Sequence, residues 1–199
     1  TNFFTAFPVV GDKIVTLLWG GFSVDNATLN RFFSLHYLLP FAIAGAVIVH
    51  MAAVHTDGSN NPLGISSHSD KIAFFPYFFI KDTFGLVCFL IFFSFFVYYS
   101  PNTLGHPDNY IPANPMSTPE HIVPEWYFLF AYAILRSIPN KLAGVLALFA
   151  SLLVLLTLPL ISTSAIRSSL YRPLYQVFYW LLVADFILLS YIGQAAPES

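Results

Sequence analysis

Long runs without a charged side chain constrain this chain more than any other feature. Leu142 to Ile166 contains no Asp, Glu, Lys or Arg, and neither does Thr83 to Pro107. Phe32 to Thr56 carries histidines but none of those four. A helix needs about 20 apolar residues to cross a hydrocarbon layer of roughly 30 Å, and each run is long enough. Composition agrees. With 57% hydrophobic and 9% charged residues, the chain has too few charges to cover a water-facing surface. The expected fold is all-α: a polytopic transmembrane helical bundle with four spans, plus amphipathic surface helices.

The net charge of −2 gives no reason to expect nucleic acid. The single cysteine, Cys88, lies mid-span and has no partner for an internal disulfide. It reads as a small buried core residue. The sequence opens at Thr1-Asn2 with no methionine and no signal or transit peptide, so it reads as a piece of a longer protein.

Lys13 to Trp19 is a short amphipathic stretch that Gly20-Gly21 breaks. Asp25-Asn26 is a helix start with Thr28 just inside it. Asn26-Ala27-Thr28 also fits a glycosylation sequon, a chance match in a chain of this kind. The spans are placed at about Asn30–His55, Asp82–Ser100, Leu142–Thr163 and Pro173–Gly193. Between the first two lies a polar loop, 56–80, with turn residues Asp57 to Pro62. A proline-rich connection covers 101–140, and Pro159 should kink the end of the third span. Three regions follow: surface helices over 1–29, the first two spans over 30–100, and a loop with the last two spans over 101–199. Basic residues divide evenly. Lys71, Lys81, Arg167 and Arg172 fall on one side, and Lys13, Arg31, Arg136 and Lys141 on the other. The positive-inside rule therefore sets no orientation. Trp19, Trp126 and Trp180 suit interfaces.

His36 and His50 both lie inside the first span, fourteen residues apart. The rise between them is about 21 Å, and they return to within about 40° of one direction. Ionisable groups inside a span are costly and mark function. Neutral imidazole is a common ligand of haem iron. Two on one face suggest two haems stacked across the membrane. Ala42, Ala44, Gly45 and Ala46 between them are small and permit close approach. The plainer alternative is that each histidine bonds a neighbouring helix. No later span holds a histidine, so second ligands would come from other sequence.

Further segments carry a specific resemblance. Trp19 to Asp25, Ala27-Thr28-Leu29, and Arg31-Phe32-Phe33 ahead of His36 resemble cytochrome b before its fourth transmembrane helix. Gly105-His106-Pro107-Asp108-Asn109-Tyr110, Pro124-Glu125-Trp126-Tyr127 and Ala133 to Pro139 resemble that family's second quinone-pocket loop. The likeness covers essentially all 199 residues. It is to cytochrome b of ubiquinol–cytochrome c reductase, respiratory complex III. The related quinol–plastocyanin reductase splits the fourth and fifth helices between two polypeptides and sets its histidines one residue further apart. Here the spans are continuous and the separation is fourteen, which favours the respiratory type. Leu129-Phe130-Ala131-Tyr132-Ala133 resembles the mitochondrial wording.

The resemblance implies the rest. The chain would run from the surface helices before the fourth transmembrane helix to the seventh, lacking the first three and the eighth. Alone it should be inactive. His36 would ligate the low-potential b-type haem and His50 the high-potential one. His55, about 140° from His50 around the helix, would bind quinone at the inner reduction site. Lys81 and Asp82 match that pocket's proton-handling pair, and Ser59 and Asn60 are candidates from the loop. The bland alternative for Lys81-Asp82 is an interface anchor at a helix start.

Val123 precedes a proline and favours extended backbone, and Pro124 suits a first helical position. Glu125 would then stabilise a first turn. By resemblance it also accepts a proton when quinol is oxidised, since a carboxylate in an apolar pocket exchanges protons near neutral pH. Pro124, Tyr127, Phe128 and Tyr132 would line that pocket. Asp185 has no assigned role beyond a hydrogen bond to a facing helix. His68, His106 and His121 read as loop residues.

The implied function is a membrane subunit that carries electrons from ubiquinol through two haems to a second quinone site, coupled to proton translocation. The implied partners are the Rieske iron–sulfur protein, the cytochrome c1 subunit, the remaining cytochrome b helices and the lipid bilayer, in a homodimeric complex. The implied place is the mitochondrial inner membrane, with a bacterial plasma membrane as alternative. Loops 56–80 and 164–172 would face the matrix. A transporter or channel with a histidine-lined proton path, or a purely structural scaffold, are the readings from other classes.

Overall fold

The structure, a computed structural model, describes residues 1–196 and contains helices and turns with no strand among them. The opening turn, Asn2–Ala6, leads into α1 (Gly11–Trp19), the amphipathic stretch expected from the sequence. α1 ends at Gly20, whose φ of 71° is the left-handed cap conformation that glycine adopts without steric cost. Its last carbonyls are satisfied by the next helix. Thr28 Oγ1 donates to the Trp19 carbonyl at 2.7 Å, and Arg31 Nη1 donates to the Leu17 carbonyl at 2.6 Å.

α2 (Asn26–Asp57) starts at Asp25 with a capping box that includes Thr28. Its 32 residues extend about 48 Å, more than a bilayer core requires. Pro40 lies inside it. Proline has no N–H, so the His36 carbonyl, four residues back, loses its usual helical donor.

The second apolar helix differs from expectation. It covers Phe74–Tyr99, eight residues ahead of the expected start at Asp82. Its central part is α3 (Phe79–Ser94), flanked by wider turns Phe74–Phe78 and Phe95–Tyr99. The charges of Lys81 and Asp82 look like a boundary, yet the residues before them, Phe74 to Ile80, are apolar and aromatic and enter the helix. Asp82 falls in the first turn of α3. Cys88, expected to be buried, is exposed, because α3 packs only against its own flanking turns among the described elements.

The proline-rich connection holds a helix of its own, α4 (Leu129–Ser137), entered through a 3₁₀ turn at Trp126–Phe128. The third span, Lys141–Ile161, begins at Asn140, whose side chain accepts from the Ala143 N–H at 2.9 Å. α5 (Lys141–Leu153) gives way to a 3₁₀ stretch at Val154–Thr157 and then α6 (Leu158–Ile161). The loosening sits just ahead of Pro159, as that ring requires. α7 (Pro173–Gln194) is the fourth span.

The packed part of the chain is built around α4, which lies against α5 and α7. Leu129, Ala131, Ala133, Val145 and Leu148 are buried there. Gly193 permits the closest approach, since a Cβ on it would strike the Leu129 carbonyl. Phe130 and Phe186 meet with ring centroids 4.8 Å apart. Arg136 donates to the Ala195 carbonyl at 3.0 Å and lies over the Tyr132 ring. By contrast α2 packs only against α1 among the described elements. Two connecting loops meet on one side of the bundle: Ser168 Oγ donates to the Pro62 carbonyl at 2.5 Å. This joins the loop after α2 to the loop before α7.

Candidate functional site

One continuous helix presents all three histidines of the first span. His36, His50 and His55 are exposed on α2. None has a side-chain hydrogen bond among the described residues. A Cβ added at Gly45, between His36 and His50, would meet no atom within 4 Å. Two imidazoles at different depths, with small residues between them, suit two bulky planar ligands, one per histidine. No group of three or more His, Cys, Asp and Glu that could hold a bare metal ion occurs among the described residues. What this helix offers is single, well-separated imidazoles.

Around α4 the residues close on a cavity of about 480 Å³. Pro124, Tyr127, Phe128 and Tyr132 all line it, which brings together four residues singled out from the sequence. Its lining is almost wholly apolar. Tyr132 is fixed by a hydrogen bond from its hydroxyl to the Ile122 carbonyl at 3.1 Å. The Tyr127 ring meets Trp126 edge-on and Phe128 at a tilt, at centroid distances of 5.5 and 4.8 Å. Sequence reasoning missed the rest of the wall, Phe3, Phe149 and Leu152 among it. They come from distant segments, and no local pattern marks them.

Glu125 sits on the other side of Pro124. It lines two small adjoining hollows of about 180 and 220 Å³, together with His106, Val123 and Pro124. The expected helix start is displaced. Pro124 is not in a helix, and Glu125 is the residue before the first turn, with φ −58° and ψ 154°. Its carboxylate sits at the N-cap of that turn and makes no capping hydrogen bond. His106 is a turn residue, as expected. Its Nδ1 accepts from the Asp108 N–H at 3.3 Å and lies 3.5 Å from the Asp108 carboxylate.

The inner-site candidates are less gathered. His55 is near the end of α2, Ser59 and Asn60 are exposed in the following loop, and Lys81 and Asp82 are exposed at the start of α3. Their side chains form no hydrogen bonds with one another among the described residues. Asp185 is exposed on α7, and the facing-helix bond expected of it is not made within the described chain.

Two family profiles divide the chain between them. The one described as Cytochrome b(N-terminal)/b6/petB matches residues 1–107, and the one described as Cytochrome b(C-terminal)/b6/petD matches residues 112–199. The chain belongs to the cytochrome b family. Cytochrome b of Marchantia polymorpha is 70% identical over 199 residues, all of this chain and 49% of that protein. Cytochrome b of Solanum tuberosum is 65% identical, covering 51% of its length, and that of Chondrus crispus 63%, covering 52%. The chain therefore spans about half the length of the cytochrome b relatives it matches. A solved structure described as a hyperthermophilic respiratory Complex III superposes with a TM-score of 0.85 at 34% identity, over 96% of this chain and 51% of that one. Cytochrome b membership and four helices able to cross a bilayer make this a membrane protein.

Proposed function

We propose that this chain is the later half of the membrane subunit of a quinol–cytochrome c reductase, and that the whole protein oxidises quinol and couples this to proton translocation. The observation that carries the reading is the pair His36 and His50, unpartnered on one membrane helix of a cytochrome b chain.

Each of these imidazoles would hold one b-type haem, which would supply one-electron redox chemistry when bound. The apolar cavity beside Pro124 takes the quinol, with Tyr127, Phe128 and Tyr132 shaping it and excluding water. Glu125, across Pro124, accepts the proton released on oxidation, because an ionised carboxylate beside an apolar site is a competent general base. His55 binds quinone at the opposite end of α2, with Lys81 and Asp82 supplying protons and Ser59 and Asn60 completing the pocket. The docked loops around Pro62 and Ser168 lie on the matrix side under this reading. The Rieske protein, cytochrome c1 and the remaining cytochrome b helices are the partners, in a dimeric complex. The likeness to plant and algal cytochromes b supports the mitochondrial inner membrane.

The test is spectroscopic. In the complete assembled complex, His36→Leu and His50→Leu are each expected to remove about half of the b-type absorbance, one ligated haem per histidine. A wild-type complex with no Soret band would sink the proposal.

A further inference from the structure

Ser168 is only 4% exposed, although residues 162–167 just before it are open. Its hydroxyl is used twice. Oγ donates to the Pro62 carbonyl, 106 residues earlier, and accepts from the Leu170 N–H at 3.2 Å. A buried hydroxyl is costly unless it is bonded in this way. The contact between the loop after α2 and the loop before α7 is therefore built around one serine.

Both partners in the contact are fixed. Asn61 Oδ1 accepts from the Leu63 N–H at 3.1 Å, and its Nδ2 donates to the Ile65 carbonyl at 2.6 Å. The Asn61 carbonyl accepts from the Gly64 N–H at 3.0 Å. The asparagine side chain thus closes the turn that presents Pro62. Gly64 has a φ of 71° less one degree of the left-handed cap at Gly20, at +70°, and a Cβ on it would lie 2.8 Å from the Ser168 backbone nitrogen. Only glycine meets both demands. On the other side, Gln176 Nε2 of α7 donates to the Ser169 carbonyl at 3.0 Å. Contacts run unbroken from α7 through Ser168 to Pro62.

Ser59 and Asn60 lie between this anchor and the end of α2. The Gly58 N–H donates to the Val54 carbonyl at 2.8 Å, which fixes the near end. Asn61 in its closed turn is the far end. One residue spans at most about 3.6 Å, so two residues strung between fixed ends have little room to move. We infer that Ser168 is a positioning residue for the inner quinone site, holding Ser59 and Asn60 at the His55 end of α2 through the docked turn at Pro62. The inference rests on the inner-site reading of His55, Ser59 and Asn60. Ser168 acts through the loop and not on the quinone, so its loss weakens binding and leaves the chemical step in place.

The experiment uses the complete complex with the outer site blocked, so that quinol reduces the haems only through the inner site. Ser168→Ala is expected to raise the half-saturating quinol concentration roughly fivefold, the weight of one hydrogen bond, with the limiting rate within about twofold. Loop 56–80 should be cleaved faster in limited proteolysis. Gly64→Ala strains the same contact from the other side and gives the same split, and the two changes together do not add. Ser168→Cys keeps the volume and a weak donor, assembles where the alanine variant does not, and falls between it and wild type. Ser164→Ala, whose hydroxyl bonds Ile166 within its own loop, leaves saturation unchanged. Outer-site oxidation, assayed separately, keeps its KM in every variant. Wild-type saturation in the Ser168 variants overturns the inference, as does an equal loss at both sites. A wild-type complex without inner-site haem reduction sinks the inner-site reading and this inference together. A responsive complex indifferent to Ser168 sinks this inference alone.

Discussion

Tyr132 of α4 donates its hydroxyl to the carbonyl of Ile122, ten residues earlier, at 3.1 Å. The bond closes the segment containing Pro124 and Glu125 onto the helix that follows it. The loop bearing the proposed proton acceptor is thereby held against the cavity wall.

Tyr132→Phe removes that bond and keeps the ring. A hydrogen bond of this kind contributes about 0.5–1.5 kcal/mol. The expected result is a loop cleaved faster between residues 101 and 125 in limited proteolysis, with quinol oxidation reduced several-fold. An unchanged digestion pattern would show that the bond does not hold the loop.

Glu125→Gln keeps the shape of the side chain and removes its capacity to take a proton. General acid–base groups contribute typically about 10²–10⁴-fold, so quinol oxidation should fall by at least about tenfold while the haem spectrum persists. Steady-state turnover with quinol and cytochrome c measures this. A rate equal to wild type removes Glu125 from the proton path.

His55→Leu addresses the other end of α2. Reduction of the haems by reverse electron entry from quinol at the inner site should be lost or slowed by an order of magnitude or more (~10-fold). Oxidation at the outer site, with the inner site bypassed, should persist. Pre-steady-state haem reduction with the outer site blocked reads the difference, and a normal trace would exclude His55 from quinone binding.

Gly193→Val tests the α4–α7 contact. The first added carbon already strikes the Leu129 carbonyl, and backbone atoms in a helix cannot move aside cheaply. Overpacking typically costs about 1–3 kcal/mol. Less assembled complex and a lower Tm are expected, with normal spectra for the fraction that assembles. Wild-type yield and Tm would mean that α7 seats differently.

Much of this was legible in the sequence because charge is expensive in lipid. The gaps in charge located three of the four spans, and the fourth, which carries Asp185, was placed to within a residue of its observed end at Gln194. Asp25 and Asn26 marked the start of α2 by residue type alone, and the structure adds the capping box with Thr28. Where charge misled, it did so for one reason. Lys81 and Asp82 were read as a boundary, although Phe74 to Ile80 before them are as apolar as the span itself. Pro124 was placed in a helix on proline statistics, but Glu125 takes an extended backbone and the turn starts at Trp126. Four of the cavity's residues were found through local motifs. Phe3 and Phe149 were invisible because their contact joins opposite parts of the chain.

The uneven packing of the chain has a genetic consequence. The elements from α4 onward press on one another, whereas α2 and α3 lean on almost nothing within the described residues. A lesion at Gly193 or Arg136 is felt at once by neighbours on the same strand of polypeptide. A lesion on the outward faces of α2 or α3 stays silent until other molecules or helices close around it. Second-site suppressors should follow the same divide: intragenic and close at hand for the first class, outside this segment for the second.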